Sequence, residues 1–502
     1  MMNLAWTLLF VNWLFERGFR RKFSDFWSNG LLHLAILYFL LSAVSLIWTD
    51  VLPDGLDALR QVLPVVAVPM VVLTSRPLTS VQWRIVITGY VGTLFVVSVI
   101  GFVRWLSIPD LPYREIVPFI SHIRFSLNLV YAICLLLLAF LRAFDRHTLW
   151  SSPVMPFAAL LLAVWFLFYL FLLQSYTGII ILLVTVLVCI VFGWRRMHSR
   201  PLRWVLVLAA LLSVASLAGL VAYYVNDYYT PRLSHVDRSR YTRNGTPYTF
   251  AHDGLVECGR YVNDFVCESE LRAEWPKVSS VPVDSITPVG YSVLPALVRY
   301  LNAMGLTKDS AGVASLSPSD VAAIEQGIAN PVYSQKASLR RMVYVMLFEY
   351  ENYRCYRTVC GFTMLQRFEL WRASSEVVRS NWLYGVGIGS VETALDHQLS
   401  ADRSPLAGTH KNPHNQYLTL LMTFGAIAGG LLLVCLFWAV IRRRLWRKPL
   451  FVACLTIVLL SCLTEDTLQT CAGAIFAALY LSLTSHFPTQ PTKFQTSTTT
   501  TP

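Results

Sequence analysis

Charge is scarce in this sequence. Only 14% of the 502 residues are Asp, Glu, Lys or Arg, where a soluble chain carries roughly a quarter. The charge that exists is kept out of long apolar runs, notably 31–48, 125–141, 156–173, 202–222 and 418–440. Runs of that length match the hydrocarbon thickness of a bilayer and exclude an ordinary soluble protein. Other features are missing as well. The first apolar stretch, 4–15, follows no basic region and precedes one at Arg17, Arg20, Arg21 and Lys22. That reverses the order of a signal peptide, so no cleavable leader is expected. Gly385, Gly387 and Gly389 lack the strand-then-helix context of a nucleotide fold. No His stands at ligand spacing beside the cysteines outside the spans, which disfavours zinc; neither metal nor cofactor is expected. Internal repeats are not evident and charges inside spans are few, which weighs against a transporter.

The apolar segments predict an all-α, polytopic transmembrane helical bundle of about ten to twelve spans. They lie near 4–15, 31–48, 59–74, 85–103, 125–141, 156–173, 177–193, 202–224, 415–440, 449–463 and 468–484. Pro64 and Pro69 predict a kink in the third. The formal net charge of +12 reads as a topology signal, and no nucleic-acid partner is expected. One alternating set of loops carries Arg17, Arg20, Arg21 and Lys22, then Arg76 and Arg84, Arg142 and Arg146, Arg195, Arg196, Arg200 and Arg203, and finally Arg442, Arg443, Arg444, Arg447 and Lys448. The opposite loops 49–58 and 464–467 have acids and no Lys or Arg. The positive-inside rule sets the first group in the cytoplasm. The exception is the outer loop 104–124, with Arg104, Arg114 and Arg124.

The domains expected from this layout are an N-terminal membrane bundle at 1–224, an external loop domain at 225–414, C-terminal membrane helices at 415–485 and a disordered cytoplasmic tail at 486–502. A loop of about 190 residues is too long to be a mere connection. In it, 285–304 reads as an amphipathic helix suited to a membrane surface, and 337–357 and 362–380 read as helices. Cys258, Cys267, Cys355 and Cys360 fall in this loop, and an even number in an oxidising compartment suggests disulfides. Spacing favours 258–267 and 355–360 without fixing the pairing.

Three patterns carry the chemistry. They are Arg367-Phe368-Glu369-Leu370-Trp371, the turn Gly385-Val386-Gly387-Ile388-Gly389, and His414-Asn415-Gln416-Tyr417-Leu418 running into a span. In this order they resemble the bacterial O-antigen ligases and O-antigen polymerases, over about residues 362–430. The resemblance implies a type-C glycosyltransferase of the Gram-negative inner membrane, acting at the periplasmic face without metal or nucleotide sugar. It would move glycan from undecaprenyl pyrophosphate to a lipid A-core hydroxyl, or onto another repeat in a polymerase. A protein O-oligosaccharyltransferase is a third possibility. The family's His carries onto His414 as general base and its Arg onto Arg367. The family's Ser-Arg-Thr-Gly reads Ser175-Tyr176-Thr177-Gly178 here, so that Arg is missing. Arg124, opening the next-but-two span upstream of that basic loop, is the expected replacement. Arg124, Arg367 and Arg372 are the expected pyrophosphate ligands, with His410, Asn415, Trp371 and Glu465 in support. The residue types suit the task. Guanidinium groups grip phosphate with forked hydrogen bonds, and imidazole can take a hydroxyl proton near neutral pH.

Overall fold

The computed structural model describes residues 2–108, 111, 113–140, 155–193, 200–230, 240–335, 338–359 and 363–487. The loop residues Arg142, Arg146, Arg195 and Arg196, together with Cys360 and the tail from 488 on, lie outside the described residues. Among the described residues the fold is all-α apart from two short antiparallel ribbons. Among the described residues, seven helices are long and apolar enough to cross a membrane: Gly30–Trp48, Leu52–Thr74, Ser80–Ser107, His122–Phe140, Met155–Leu172, Val207–Tyr229 and Gln416–Arg442. The segments expected at 177–193, 449–463 and 468–484 are helices too, but shorter, at Tyr176–Phe192, Pro449–Ser461 and Cys471–His486. This is an integral membrane protein. The chain divides into two compact units, one of residues 1–211 with 367–502, the other of 212–366.

In the first unit the helices are α1 (Met2–Phe15), α2 (Phe19–Ser28), α3 (Gly30–Val44), α4 (Leu52–Val62), α5 (Pro64–Thr74), α6 (Ser80–Ser107), α7 (His122–Phe140), α8 (Met155–Leu172) and α9 (Tyr176–Gly193). Helix α10 (Arg200–Tyr229) follows. Local sequence sets their ends. Asn29 caps α3 by accepting from the Leu31 N–H, and Thr79 with Gln82 forms a reciprocal capping box on α6. The expected kink falls at Leu63, where Pro64 opens α5 and has no N–H to continue the ladder. Helix α7 is the core of this unit: Leu129, Val130 and Ala132 are fully buried. Its Tyr131 forms an aromatic cluster with Tyr90 and Tyr480, the Tyr131 and Tyr480 ring centroids lying 4.7 Å apart. Lipid is as apolar as these side chains, so close packing and hydrogen bonds, more than hydrophobic burial, hold such helices together.

The second unit starts within α10, at Leu212. Strands β1 (Thr249–Phe250) and β4 (Asp264–Val266) pair, as do β2 (Val256–Glu257) and β3 (Arg260–Tyr261). Helices α11 (Glu268–Val278), α12 (Val293–Met304), α13 (Ser310–Ala314), α14 (Pro318–Glu325) and α15 (Leu339–Tyr356) complete it. Its core gathers Leu271, Trp275, Leu297, Leu301 and Ile324. Glu257, fully buried, meets Arg299 at 2.8 Å and accepts from Asn330 at 2.9 Å, so that interior charge is paired. Two expectations are corrected here. The amphipathic helix starts at Val293, and its apolar face, including Ala296, Leu297 and Leu301, is buried in this core instead of meeting a membrane. The pairing of Cys258 with Cys267 does not form: the Cys267 thiol is free, and the Cys258 sulfur takes a hydrogen bond from Asn330. Cys355 is also a free thiol.

Candidate active site

The site is built on four stretches of the first unit: helix α16 (Thr363–Ser380), the start of α18 (Gln416–Arg442), the start of α7, and the loop between α19 (Pro449–Ser461) and α20 (Cys471–His486). Helix α17 (Val391–Ala401) lies between the first two in sequence.

Arg367 and Trp371 are four residues apart on α16 and so share a face. Arg367 is mostly buried, with 14% of its side chain exposed, and its guanidinium lies 2.7 Å from Glu465 Oε1. One turn on, the Trp371 indole N–H donates to the Pro413 carbonyl at 3.0 Å. Trp371 therefore holds the backbone immediately before His414. His414 has a left-handed backbone, φ 51°, which is unfavourable for a residue with a side chain. Its N–H donates to Asp466 Oδ2 at 2.9 Å, and the Thr419 hydroxyl donates to Asp466 Oδ1 at 2.5 Å. Asn415 caps α18, accepting from the N–H groups of Tyr417 and Leu418. The imidazole is thus fixed by its own backbone, with 41% of the side chain open.

Glu465 joins the parts. Its second oxygen, Oε2, is 3.9 Å from His414 Nδ1. Burial resists ionisation of this carboxyl, but His414, Arg367 and Arg124 outweigh it and hold Glu465 below the usual glutamate value. Its neighbour Asp466 goes the other way. Burial dominates there and raises its carboxyl despite help from Thr419 and His414.

Arg124 and Glu465 line one cavity of about 70 Å³, with Ser121, Asn128 and Gly473 around it. Gly473 is required for this approach, since a Cβ there would lie 2.7 Å from the guanidinium and 2.1 Å from the Thr467 carbonyl oxygen. The Arg124 helix also touches the segment that lacks an arginine: Ser175 Oγ is 2.8 Å from Ser126 Oγ. The start of α7, which carries Arg124, therefore packs against the stretch 175–178.

Not every expected residue converges. Arg372 pairs with Glu369 at 2.9 Å and Asp402 at 3.0 Å and is half exposed, so it is not brought to Glu465. His410 is exposed on the preceding loop. The glycine turn has a structural task. Helix α18 breaks at Gly425 (φ 74°), and the turn fills the break: Val386 N donates to Met422 O at 2.7 Å and Ala426 N donates to Trp382 O at 2.7 Å. A Cβ on Gly385 would lie 2.3 Å from the Met422 carbonyl oxygen.

Three more residues contribute: Asp466, expected only as half of the acidic pair with Glu465, and Thr419 and Gln416, which were not expected. Gln416 holds the acidic loop, accepting from Leu468 N at 2.7 Å, while its backbone N donates to Cys462 O at 2.8 Å. It also lines an apolar cavity of about 170 Å³ with Leu31, Tyr38, Leu432, Val458 and Ala478. Its buried amide nitrogen has no hydrogen-bond partner among the described residues. The acidic pair Glu465-Asp466 between two apolar runs was the sequence signal for the first of these; nothing local marks Gln416 or Thr419.

Set beside known proteins, residues 360–433 match the family model described as O-antigen ligase. A search of curated proteins gives no significant match. That matched segment carries Arg367, Trp371, the glycine turn and His414, and over these residues the chain is similar to the O-antigen ligases, glycosyltransferase-like membrane enzymes.

Proposed function

We propose that the protein is an O-antigen ligase of the bacterial inner membrane, transferring glycan from undecaprenyl pyrophosphate to a hydroxyl of lipid A-core at the periplasmic face. The observation that carries this reading is the meeting of Arg367, Arg124 and His414 around Glu465, from three distant parts of the chain. Arginines and a half-exposed imidazole at the mouth of apolar helices suit a charged, lipid-borne donor.

The reaction needs one proton acceptor and charge for one leaving group. His414 takes the proton of the acceptor hydroxyl. The oxygen attacks the anomeric carbon of the donor sugar, and the bond from that carbon to the phosphate oxygen breaks. The electron pair leaves with the lipid pyrophosphate, whose charge Arg367 and Arg124 stabilise as it develops. Guanidinium groups supply that positive charge, so the scheme calls for no metal. Glu465 favours the imidazolium formed by proton transfer. The prenyl chain occupies the apolar cavity that begins at Gln416, and the unpartnered Gln416 amide donates to the phosphate end of that chain.

A polymerase would use the same residues on a different acceptor. Purified protein is incubated with a lipid-linked glycan and, separately, lipid A-core or a second lipid-linked repeat. Glycan on lipid A-core supports the ligase; extension of the repeat alone replaces it with the polymerase.

A further inference from the structure

Arg367 has a partner already. Its guanidinium is 2.7 Å from Glu465 Oε1, and its side chain is mostly buried. A pyrophosphate reaching this arginine must compete with that carboxylate. The other carboxylate oxygen lies 3.9 Å from His414 Nδ1, within range of charge attraction and beyond a hydrogen bond. His414 does not depend on Glu465 for its place, because Asp466 holds its N–H and Trp371 holds the carbonyl before it. Glu465 can therefore turn while the imidazole stays.

We infer that Glu465 is a positioning residue that couples donor binding to base strength: a diphosphate that takes Arg367 releases Glu465 onto the His414 imidazole. This rests on the proposed reading of the site. The exchange is chemically simple. A diphosphate offers several anionic oxygens against the two of a carboxylate, and both compete for the same forked donor. Once released, Glu465 closes roughly 1 Å to accept from Nδ1–H. That sets the proton on Nδ1, leaves the Nε2 lone pair for the acceptor hydroxyl, and stabilises the imidazolium after transfer. No covalent bond changes in the exchange and no proton moves. The charged groups around His414 are Glu465 and Asp466 from the α19–α20 loop and Arg367 from α16, with Arg124 and His122 of α7 acting on Glu465. Activation of the acceptor thus follows binding of the donor.

The test uses full-length protein in detergent and Glu465→Gln, which keeps the shape and removes the charge. Inorganic pyrophosphate, followed by calorimetry, is expected to bind the variant about tenfold tighter than the wild type, as an arginine released from an ion pair should. In the transfer assay kcat is expected to fall tenfold or more, and the acid limb of its pH profile to move to lower pH. Glu465→Asp recovers part of kcat. A carboxylate that only supports the fold would lose affinity and turnover together. Pyrophosphate binding that is unchanged or weaker in Glu465→Gln overturns the coupling. Turnover that survives His414→Ala removes the underlying reading instead, so the two failures are distinguishable.

Discussion

Glu465 stands between Arg367 and His414, one carboxylate oxygen 2.7 Å from the guanidinium and the other 3.9 Å from the imidazole. The three come from a helix, a helix-start loop and a loop between two short apolar helices, far apart in sequence. Their meeting has consequences that can be measured.

Arg124 shares a cavity with Glu465 and belongs to a helix start whose Ser126 touches Ser175. Arg124→Ala should lower glycan transfer at least tenfold, the scale expected for losing one charged donor on a leaving phosphate. Adding Tyr176→Arg to that variant should return part of the rate, because residue 176 adjoins the Ser175–Ser126 contact. Wild-type transfer by Arg124→Ala, scored on reconstituted protein, rejects its place at the pyrophosphate.

The apolar cavity below Gln416 predicts a dependence on chain length. Ala478→Trp fills space on its wall, where Ala478 is buried. The donor KM should rise about tenfold for a long-chain polyprenyl donor and little for a farnesyl analogue, as expected for losing several buried methylenes. Inorganic pyrophosphate affinity should not change. Equal effects on both donors would place the chain elsewhere.

A pH effect is expected in the second unit. Glu349 on α15 is pushed up by burial to about 7 from an ordinary value of 4.5. The folded state therefore holds this proton more tightly than the unfolded state. Its contribution to stability is full below pH 4.5, is lost as pH rises to about 7, and stays lost above. Glu349→Gln should melt a few degrees higher than the wild type at pH 8 and alike at pH 4. Parallel melting curves across that range would contradict it.

Much of the site was legible because short motifs carry local geometry. Arg367 and Trp371 are four residues apart, so one helix face presents both, and His414 precedes an apolar run that fixes its depth. Arg124 stood out as a charge breaking the loop pattern. Arg372 misled because five residues turn a helix by about 140°, away from the face that Arg367 uses. Asp466 was marked by the acidic pair it forms with Glu465, but its bond to the His414 N–H and that of Gln416 to Leu468 join distant elements, and such pairings leave no local trace. The amphipathic pattern at 293–304 reads alike for a membrane surface and for the core of a small unit; packing around Trp275 decided between them. Cysteine number suggested disulfides, whereas only the backbone decides whether two thiols can meet.

The proposed reaction depends above all on His414 as the proton acceptor. Full-length His414→Ala and wild type, reconstituted with lipid-linked glycan and lipid A-core, are compared for product and for inorganic pyrophosphate affinity. The expected result is transfer reduced at least a hundredfold, the lower range for loss of a general base, with pyrophosphate still bound. Transfer near the wild-type rate with intact binding contradicts the account.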